Sequence, residues 1–322
     1  MQYLIILVAL ALLEAVYFRV ADHYNIIDRP SERGSSTRIT RRGGGIIVPI
    51  GALIFFGVSG FSFPWFMTGL MIVSVLSFVD DVHSLTPKFR LPLQFVGMLL
   101  LLLQLAFMAD GASRGDYILL LFLGLIVCTG AMNIYNFMDG INGITGGYSL
   151  VALIATLIAL QQNPGDLYVP MRDLVVITIL ADLVFCFCNF RRRALCFAGD
   201  VGAVSIAFII LFAIGYLIIT TNNVAWLAFL VVYGVDGCFT ILHRLMLHEN
   251  ISLPHRKHLY QLMANELHIP HVTVSLIYMA VQAACCAWII ACPTILTVAL
   301  QVAILGIVYV LFMKKYFHLH KG

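Results

Sequence analysis

The stretch VGAVSIAFIILFAIGYLII, from Val201 to Ile219, contains no charged side chain. A helix of about 20 apolar residues crosses the roughly 30 Å of hydrocarbon in a bilayer. A helix also satisfies its backbone hydrogen bonds within the segment, as the hydrocarbon requires. The stretch therefore predicts a transmembrane helix.

Similar apolar stretches recur along the whole chain, separated by short polar breaks. Of the 322 residues, 61% are hydrophobic and 11% are charged, whereas soluble domains have about 25% charged residues. The pattern predicts an all-α polytopic membrane protein in which residues 1–322 form a single membrane domain. We expect about eleven transmembrane helices, with a range of ten to eleven, at residues 2–20, 45–62, 64–79, 92–109, 117–138, 144–161, 173–189, 201–219, 224–242, 271–291 and 293–313.

The basic residues predict which helix ends share a side of the membrane. An odd number of helices puts the termini on opposite sides. If the N-terminus is outside, only Arg114 and Arg172 of the 19 Lys and Arg residues fall in outer loops, as the positive-inside rule requires. The first segment, Met1 to Val20, is then expected to be an uncleaved anchor. Basic residues that adjoin helices in this way give no case for nucleic-acid binding.

Two aspartates follow the third predicted helix in FVDDVHSLTPKFRLPLQ, residues 78–94. Asp80 and Asp81 suit a cation or a proton transfer, and Lys88 and Arg90 suit a phosphate. Carboxylates near lipid are costly, so their accumulation on one side favours a function. A solvated helix end remains the alternative for the acidic pair alone.

The fifth predicted helix ends in NIYNFMDGINGITGG, residues 133–147. Asn133, Asn136 and Asp139 are three residues apart and therefore share one helical face. Such a polar face is typical of a cavity lining, and the glycines that follow allow the backbone to approach a ligand closely. An Asx-rich turn with a helix cap is the alternative.

Two further loops carry charged side chains on the same predicted side. In NFRRRALCFAGDVGAVS, residues 189–205, Asp200 precedes an apolar helix and could also be an N-cap. We interpret the three arginines of this loop as a topology anchor. In HRLMLHENISLPHRKHLYQL, residues 243–262, histidines lie beside Arg and Lys, which suits a diphosphate clamp better than a zinc site. The loop Arg41-Arg42-Gly43-Gly44-Gly45 either adds anion contacts or forms a flexible helix start.

Carboxylates, amides and basic residues on one aqueous side predict magnesium-dependent chemistry on a phosphate compound. Mg²⁺ uses few protein ligands and takes the others from phosphate and water. The sequence contains no Gly-rich loop with the Lys and Ser or Thr of a nucleotide-binding loop, so ATP hydrolysis is not indicated.

Taken in order, these motifs resemble the polyprenyl-phosphate N-acetylhexosamine-1-phosphate transferases, glycosyltransferase family 4. The resemblance covers residues 25–262 and rests on DRPSERGSSTRITRRGGG, DDVHSLTP, NIYNFMDGINGIT, FAGDVGAVS and PHRKHLYQ. It implies a multi-pass protein of the bacterial inner membrane, with a periplasmic N-terminus, a cytoplasmic C-terminus and a site facing the cytoplasm. It also implies transfer of a HexNAc-1-phosphate from a UDP-HexNAc to undecaprenyl phosphate, with release of UMP.

The resemblance assigns roles to residues of this chain by position. The implied catalytic residues are Asp80, Asp81, Asn136 and Asp139, and the implied Mg²⁺ ligands are Asp200 and Asp139, with Mn²⁺ as a candidate substitute. The expected substrate-binding residues are Lys88, Asn133, Arg41, His255, Arg256 and His258.

This chain departs from the family pattern at two places, which bear on the site residues and on the expected sugar donor. Asn142 stands where many members have a second aspartate, and PHRKHLYQ is most similar to the branch that starts O-antigen or capsule chains. The second departure argues against a muramyl-pentapeptide donor. Membrane lipid is an expected partner, and the resemblance leaves a homodimer open.

The rival hypothesis is a secondary transporter of an anionic substrate, which would need ionisable groups near the middle of its helices. Glu14, Asp182 and Asp236 are the candidates for that depth.

Overall fold

A computed structural model describes residues 1–28, 39–83, 85–109, 114–251 and 255–319. Within them the chain forms two short antiparallel strands, β1 (Ile27–Asp28) and β2 (Thr40–Arg41). The helices are α1 (Gln2–His23), α2 (Ile47–Val58), α3 (Pro64–Val82), α4 (Pro87–Met108), α5 (Arg114–Phe137), α6 (Ile144–Gln162), α7 (Tyr168–Asn189), α8 (Gly199–Thr221), α9 (Val231–Met246), α10 (Leu259–Gln261), α11 (His271–Ala291) and α12 (Ile295–Tyr316).

Eight stretches of the described chain are long and apolar enough to cross a membrane. They are α1, α3, α4 from Lys88, α6, α8, Val224–Met246, α11 and α12. The helical segments Gly44–Val58 and Leu121–Phe137 are apolar but shorter, and α7, which carries Arg172, Asp173 and Asp182, is not among the eight. The all-α polytopic class is therefore confirmed, whereas the count of eleven spans and their orientation stay predictions.

The central helix of the bundle is α8, most of whose side chains are buried. Phe212 of α8 stacks on Phe66 of α3 with ring centroids 4.1 Å apart. By contrast, α12 leaves large apolar side chains such as Leu296 and Leu311 exposed, as a surface in contact with lipid would. Because α8 is central, the loop that precedes it is held in the middle of one end of the bundle.

The predicted inner loops do meet at one end of the bundle. At that end Arg41 pairs with Asp22, and Arg90 reaches Asp200 across 110 residues of sequence. The opposite end has its own contact, in which the Tyr3 hydroxyl donates to Asp173 at 2.8 Å. Of the basic residues in the first inner loop, Arg29, Arg33 and Arg38 lie outside the described residues.

Most helices begin or end a few residues from the predicted spans, as at the end of α3 and the start of α9. Pro64 starts α3, where its missing N–H has no intrahelical acceptor to lose, and α3 continues to Val82, so Asp80 and Asp81 belong to its last turn. The predicted span 224–242 is a 3₁₀ segment, Val224–Leu230, followed by α9. The 3₁₀ segment gives way to α9 next to Val232, whose backbone N–H donates to the side chain of Gln282. At this point a side-chain oxygen takes the place of a helical carbonyl as the acceptor.

Candidate active site

The end of α3 is joined to the start of α8 through Asp81, which is 7% exposed. Its Oδ1 accepts the backbone N–H of Asp200 at 2.9 Å, and its Oδ2 accepts that of Val201 at 3.0 Å. Arg42 Nε also donates to Oδ1 at 2.8 Å. Since the first N–H groups of a helix have no intrahelical acceptor, Asp81 supplies acceptors to α8 from another helix.

Asp80 and Asp200 share one arginine. Arg90 Nη1 donates to Asp80 Oδ2 at 2.8 Å and to Asp200 Oδ2 at 3.2 Å, and the backbone N–H of Leu85 donates to Asp80 at 2.6 Å. The Arg42 guanidinium lies 4.0 Å from Asp200. The three carboxylates are therefore held by two guanidiniums at the start of α8.

The substrate-binding residues assigned from the sequence include Arg41 and Lys88. The basic side chains at the carboxylates are instead Arg42, from the same RRGGG loop, and Arg90, which the sequence also predicts to suit a phosphate. The structure directs Arg41 to the exposed carboxylate of Asp22, at 2.7 Å, and leaves Lys88 exposed. Burial lowers the pKa of Arg42, but the pKa is raised on balance by the nearby carboxylates of Asp81, Asp200 and Asp28. The RRGGG motif places two arginines next to each other, but only the structure shows which of the two contacts the carboxylates of the site.

Asp139 lies in the turn between α5 and α6. Thr145, in the first turn of α6, donates its hydroxyl to Asp139 Oδ1 at 2.6 Å. Burial raises the pKa of Asp139 to about 6, while the Thr145 bond opposes that shift and Asp81 adds to it. This carboxyl therefore titrates closer to neutral pH than an ordinary aspartate.

A cavity of about 240 Å³ joins these groups. It is lined by three of the predicted residues, Asn136, Asp139 and Asp200, and by Arg42. The remaining lining residues are Asp28, Gly140, Ile141, Asn142, Asn189, Phe197, Ala198, Gly199 and His271. Asp80 and Asp81 are not in the lining. Asp81 holds two residues that are, Arg42 and Asp200, whereas Asp80 pairs with Arg90, which is not in the lining either. The cavity presents oxygen donors opposite a guanidinium, which suits a phosphate group.

Two lining residues that were not predicted, Asn189 and His271, organise the cavity wall. Asn189 Oδ1 accepts the backbone N–H of Gly143 at 2.7 Å, and its amide donates to the carbonyl of Cys196 at 2.9 Å. The His271 ring accepts the N–H of Asn142 at 3.4 Å. A polar residue at the end of an apolar helix was the available signal for both.

Asn133 does not reach the cavity. Its side chain donates to the carbonyl of Thr129, one turn back along α5, at 2.8 Å. The predicted polar face therefore contributes Asn136 and Asp139 to the site but not Asn133.

The histidines of the last inner loop are arranged differently from the predicted clamp. His258 is 2% exposed, with Nδ1 lying 3.3 Å from Asp236 Oδ1, so it anchors α10 to α9 and does not line the cavity. Burial, and then His258, Arg244 and Lys257, lower the pKa of His255 to about 3, so its ring is neutral near pH 7. Among the described residues of this loop, His255 and Arg256 do not line the cavity either, and their phosphate contacts stay predictions.

The donor set of the cavity fits a hard divalent cation. Asp139, Asp200 and Asn136 offer carboxylate and amide oxygens, the ligands that Mg²⁺ prefers. No group of three or more His, Cys, Asp or Glu side chains in the described part of the chain forms a metal cluster, so water or phosphate would have to complete the shell. A cation on Asp200 would also displace Arg90 or Arg42 from it.

A family model described as Glycosyl transferase family 4 matches residues 63–222, which include α3 to α8 with Asp80, Asp81, Asp139 and Asp200. A probable undecaprenyl-phosphate N-acetylglucosaminyl 1-phosphate transferase of Bacillus subtilis (strain 168) is 26% identical over 279 residues, which are 81% of this chain and 76% of that protein. The undecaprenyl-phosphate alpha-N-acetylglucosaminyl 1-phosphate transferases of Escherichia coli K12 and Salmonella typhi are 26% and 27% identical over 203 residues. The matched region is 60% of this chain and 55% of each of those two proteins, about half of their length. This chain belongs to glycosyl transferase family 4.

Proposed function

We propose that this protein transfers a HexNAc-1-phosphate from a UDP-HexNAc to undecaprenyl phosphate, giving undecaprenyl-diphosphate-HexNAc and UMP. The observation that carries the proposal is the cavity in which Asn136, Asp139 and Asp200 face Arg42. The names of the relatives support undecaprenyl phosphate as the acceptor and make UDP-GlcNAc the first donor to test. The proposed role is the first membrane step of a cell-surface polysaccharide, with the O-antigen or capsule branch as the expected pathway.

In the proposed reaction an oxygen of the lipid phosphate forms a bond to the β-phosphorus of the UDP-sugar. The bond from that phosphorus to the oxygen bridging it to the α-phosphate breaks, and the oxygen leaves on UMP. Such transfers depend mainly on positioning and charge neutralisation. Arg42 and Arg90 supply positive charge beside the cavity, and both can turn from a carboxylate to a phosphate oxygen.

A bound Mg²⁺ would neutralise charge on the departing phosphate. Asp139 and Asp200 would hold it, with Asn136 as a further oxygen donor. Asp139 then needs to be ionised, and the Thr145 hydroxyl favours that state by donating to it.

The proposed reaction does not require Asp81 to act as a general base. A phosphate monoester with a second pKa near 6 is already largely dianionic at neutral pH. Both oxygens of Asp81 accept hydrogen bonds from Arg42 or from the start of α8. We therefore assign Asp81 the role of holding Arg42 and Asp200 in place.

An apolar groove in the bundle supports the proposal that the acceptor is a polyprenyl phosphate. It has a volume of about 480 Å³ and is lined by α5, α8, α9 and α12, with Ile126, Tyr135, Phe239 and Val302 among its residues. The groove follows α5 from Ile126 to Tyr135, and Tyr135 precedes Asn136 of the cavity, so the groove reaches the end of α5 where the cavity lies. A lipid tail in the groove would bring its phosphate to this end of the bundle.

Incubation of the purified protein with undecaprenyl phosphate and a panel of UDP-sugars tests the proposal. The expected result is UMP release together with a lipid product whose mass identifies the sugar. Uptake of an anionic solute into vesicles without UMP release would contradict the proposal and favour the transporter. The cytoplasmic orientation of the cavity, proposed from the positive-inside rule, is tested by labelling a cysteine introduced at exposed Lys88 from either side.

A further inference from the structure

Asp236 is a buried carboxylate of α9 that the proposed reaction does not use. Its exposed fraction is 4%, and an unpaired carboxylate at such a place would be costly. Oδ1 accepts the backbone N–H of Leu259 at 3.0 Å and the Thr240 hydroxyl at 3.2 Å. Oδ2 accepts the Tyr278 hydroxyl at 2.6 Å and the backbone N–H of Tyr260 at 3.4 Å. These donors occupy both oxygens, so the carboxylate is satisfied by the protein itself.

Two of these donors belong to the segment that follows the last inner loop. Leu259 and Tyr260 are the first residues of α10, and the first N–H groups of a helix have no intrahelical acceptor. The segment is buried against α9, with Tyr260 fully buried and His258 nearly so. Such a buried segment needs an acceptor from the protein, because the apolar surroundings offer none. Asp236 supplies it, and His258 Nδ1 lies 3.3 Å from the same carboxylate.

The same face of α9 also holds the beginning of this loop. Asp236, Thr240 and Arg244 are four residues apart and therefore lie on one side of the helix. Arg244, which is buried, donates to the carbonyls of Asn250 at 2.6 Å and Ile251 at 3.2 Å. One helix face thus binds the start of the loop through carbonyl oxygens and its end through N–H groups.

Tyr260 connects this anchored segment to the candidate active site. Its hydroxyl donates to the carbonyl of Phe137, the last residue of α5, at 2.9 Å. The last carbonyls of a helix have no intrahelical donor, so the tyrosine supplies one. Gly140 lies against the same side chain, since a Cβ there would collide with the Tyr260 hydroxyl. Tyr260 therefore holds the turn that carries Asp139.

We propose that Asp236 is a positioning residue, which fixes the start of α10 so that Tyr260 holds the turn carrying Asn136 and Asp139. The contacts run from the carboxylate to the N–H groups of α10, and from the Tyr260 hydroxyl to the carbonyl of Phe137. Neither Asp236 nor Tyr260 lines the cavity. The effect on catalysis rests on the proposed transferase activity, whereas the anchoring of α10 does not.

Hydrogen exchange of the full-length purified protein, resolved to single amides by mass spectrometry, tests the anchoring without any substrate. In the wild-type protein the amides of Leu259 and Tyr260 should exchange as slowly as those inside buried helices, because Asp236 accepts both. Rapid exchange of these two amides would overturn the proposal, whether or not the protein is an active transferase.

Two substitutions separate the steps of the proposal. Asp236→Asn should raise exchange about tenfold at residues 259–260 and 138–142, because the asparagine loses the charge and one acceptor oxygen. Tyr260→Phe should raise exchange at residues 138–142 only. The matched control is Glu14→Gln, which changes a buried carboxylate of α1 next to Cys196. Unchanged exchange in Asp236→Asn, or the same rise in Glu14→Gln, would overturn the proposal.

Kinetics with undecaprenyl phosphate and UDP-GlcNAc test the consequence for the reaction. Asp236→Asn and Tyr260→Phe should each lower kcat about tenfold to a hundredfold with little change in KM, because a small displacement of Asp139 affects the reacting geometry most. The double variant should be at most about twofold slower than Asp236→Asn, since both changes release the same turn. Losses that multiply in the double variant, or wild-type kcat in either single variant, would overturn the coupling.

The anchoring and the proposed function can fail separately. A wild-type protein whose amides at residues 259–260 are protected but which transfers no sugar would refute the function and leave the anchoring intact. If Asp236→Asn does not fold, wild type and Tyr278→Phe decide. Tyr278→Phe removes one donor to Asp236 Oδ2 and should raise exchange at residues 259–260 about fivefold, and no rise there would overturn the proposal.

Discussion

The carboxylate of Asp81, in the last turn of α3, accepts the backbone N–H of Asp200, in the first turn of α8, at 2.9 Å. This bond joins two motifs that are 119 residues apart. It also places a carboxylate at the positive end of the α8 dipole, where negative charge is favourable. The geometry around Asp200 therefore depends on Asp81 whether or not Asp81 touches a substrate.

We expect Asp81→Asn to lower both turnover and stability. The asparagine side chain lacks the negative charge that holds Arg42, and its NH₂ group can point at the backbone N–H of Val201, which needs an acceptor. The loss should cost about 1–3 kcal/mol of stability. Transfer rates and thermal unfolding of the purified variant measure the two effects.

The matched control is Asp22→Asn, because Asp22 is an exposed carboxylate paired with Arg41, and such surface pairs contribute little. Near-normal turnover and stability of Asp81→Asn would contradict a structural role for Asp81.

Substitutions of the neighbouring residues Arg41 and Arg42 should differ sharply in their effect on kcat/KM. Arg42→Gln removes the guanidinium that lines the cavity and bonds Asp81, and a lost charged hydrogen bond should reduce kcat/KM about tenfold to a hundredfold. Arg41→Gln should stay close to wild type, because Arg41 contacts Asp22. Steady-state kinetics with UDP-GlcNAc and undecaprenyl phosphate compare them. Equal losses in both variants would restore Arg41 to the site and refute the assignment of Arg42 alone.

The pKa of Asp139 predicts how its replacement affects stability at different pH values. Burial raises this pKa from 3.8 to about 6, so the carboxyl contributes stability that is present below pH 3.8 and is lost as pH rises through about 6. In metal-free buffer, the Tm of Asp139→Asn relative to wild type should therefore increase between pH 5 and pH 8. Asp22→Asn should show no such increase, because Arg41 lowers the pKa of Asp22. A pH-independent difference for Asp139→Asn would contradict the raised pKa.

Mg²⁺ should stabilise the wild-type protein by binding to the folded state. We expect its Tm to rise with Mg²⁺ concentration at pH 8, and that of Asp139→Asn or Asp200→Asn to rise much less, because each loses an anionic oxygen donor of the cavity. Differential scanning fluorimetry measures the shift without any substrate. Equal shifts in all three proteins would exclude these aspartates as the ligands.

Gly140 should tolerate no larger residue while Tyr260 is present. A Cβ at this position would collide with the Tyr260 hydroxyl, which donates to the carbonyl of Phe137 at 2.9 Å. Gly140→Ala should cost about 1–3 kcal/mol of stability. Addition of Tyr260→Phe should recover part of the loss, and the Tm values of both single variants and the double variant show whether it does. Full additivity of the two losses would contradict the proposed collision.

The sequence by itself determined the all-α membrane class and the end of the bundle where the polar motifs meet. Hydropathy and the length of each apolar stretch are local properties, and a bilayer imposes the same requirement on every span. For that reason residues 133–147 predicted a polar lining, and Asn136 and Asp139 line the same cavity as Asp200 at the start of α8.

The tertiary structure alone decided which side chains of each motif take part. Arg42 and not Arg41 reaches Asp81, and His258 turns inward to Asp236. Neighbours in sequence point in different directions, and their partners lie on other helices, so no local pattern could identify them. Asp236 shows the same limit: its place in the predicted span 224–242 was evident from the sequence, but the backbone groups that it binds come from a segment that folds back onto α9.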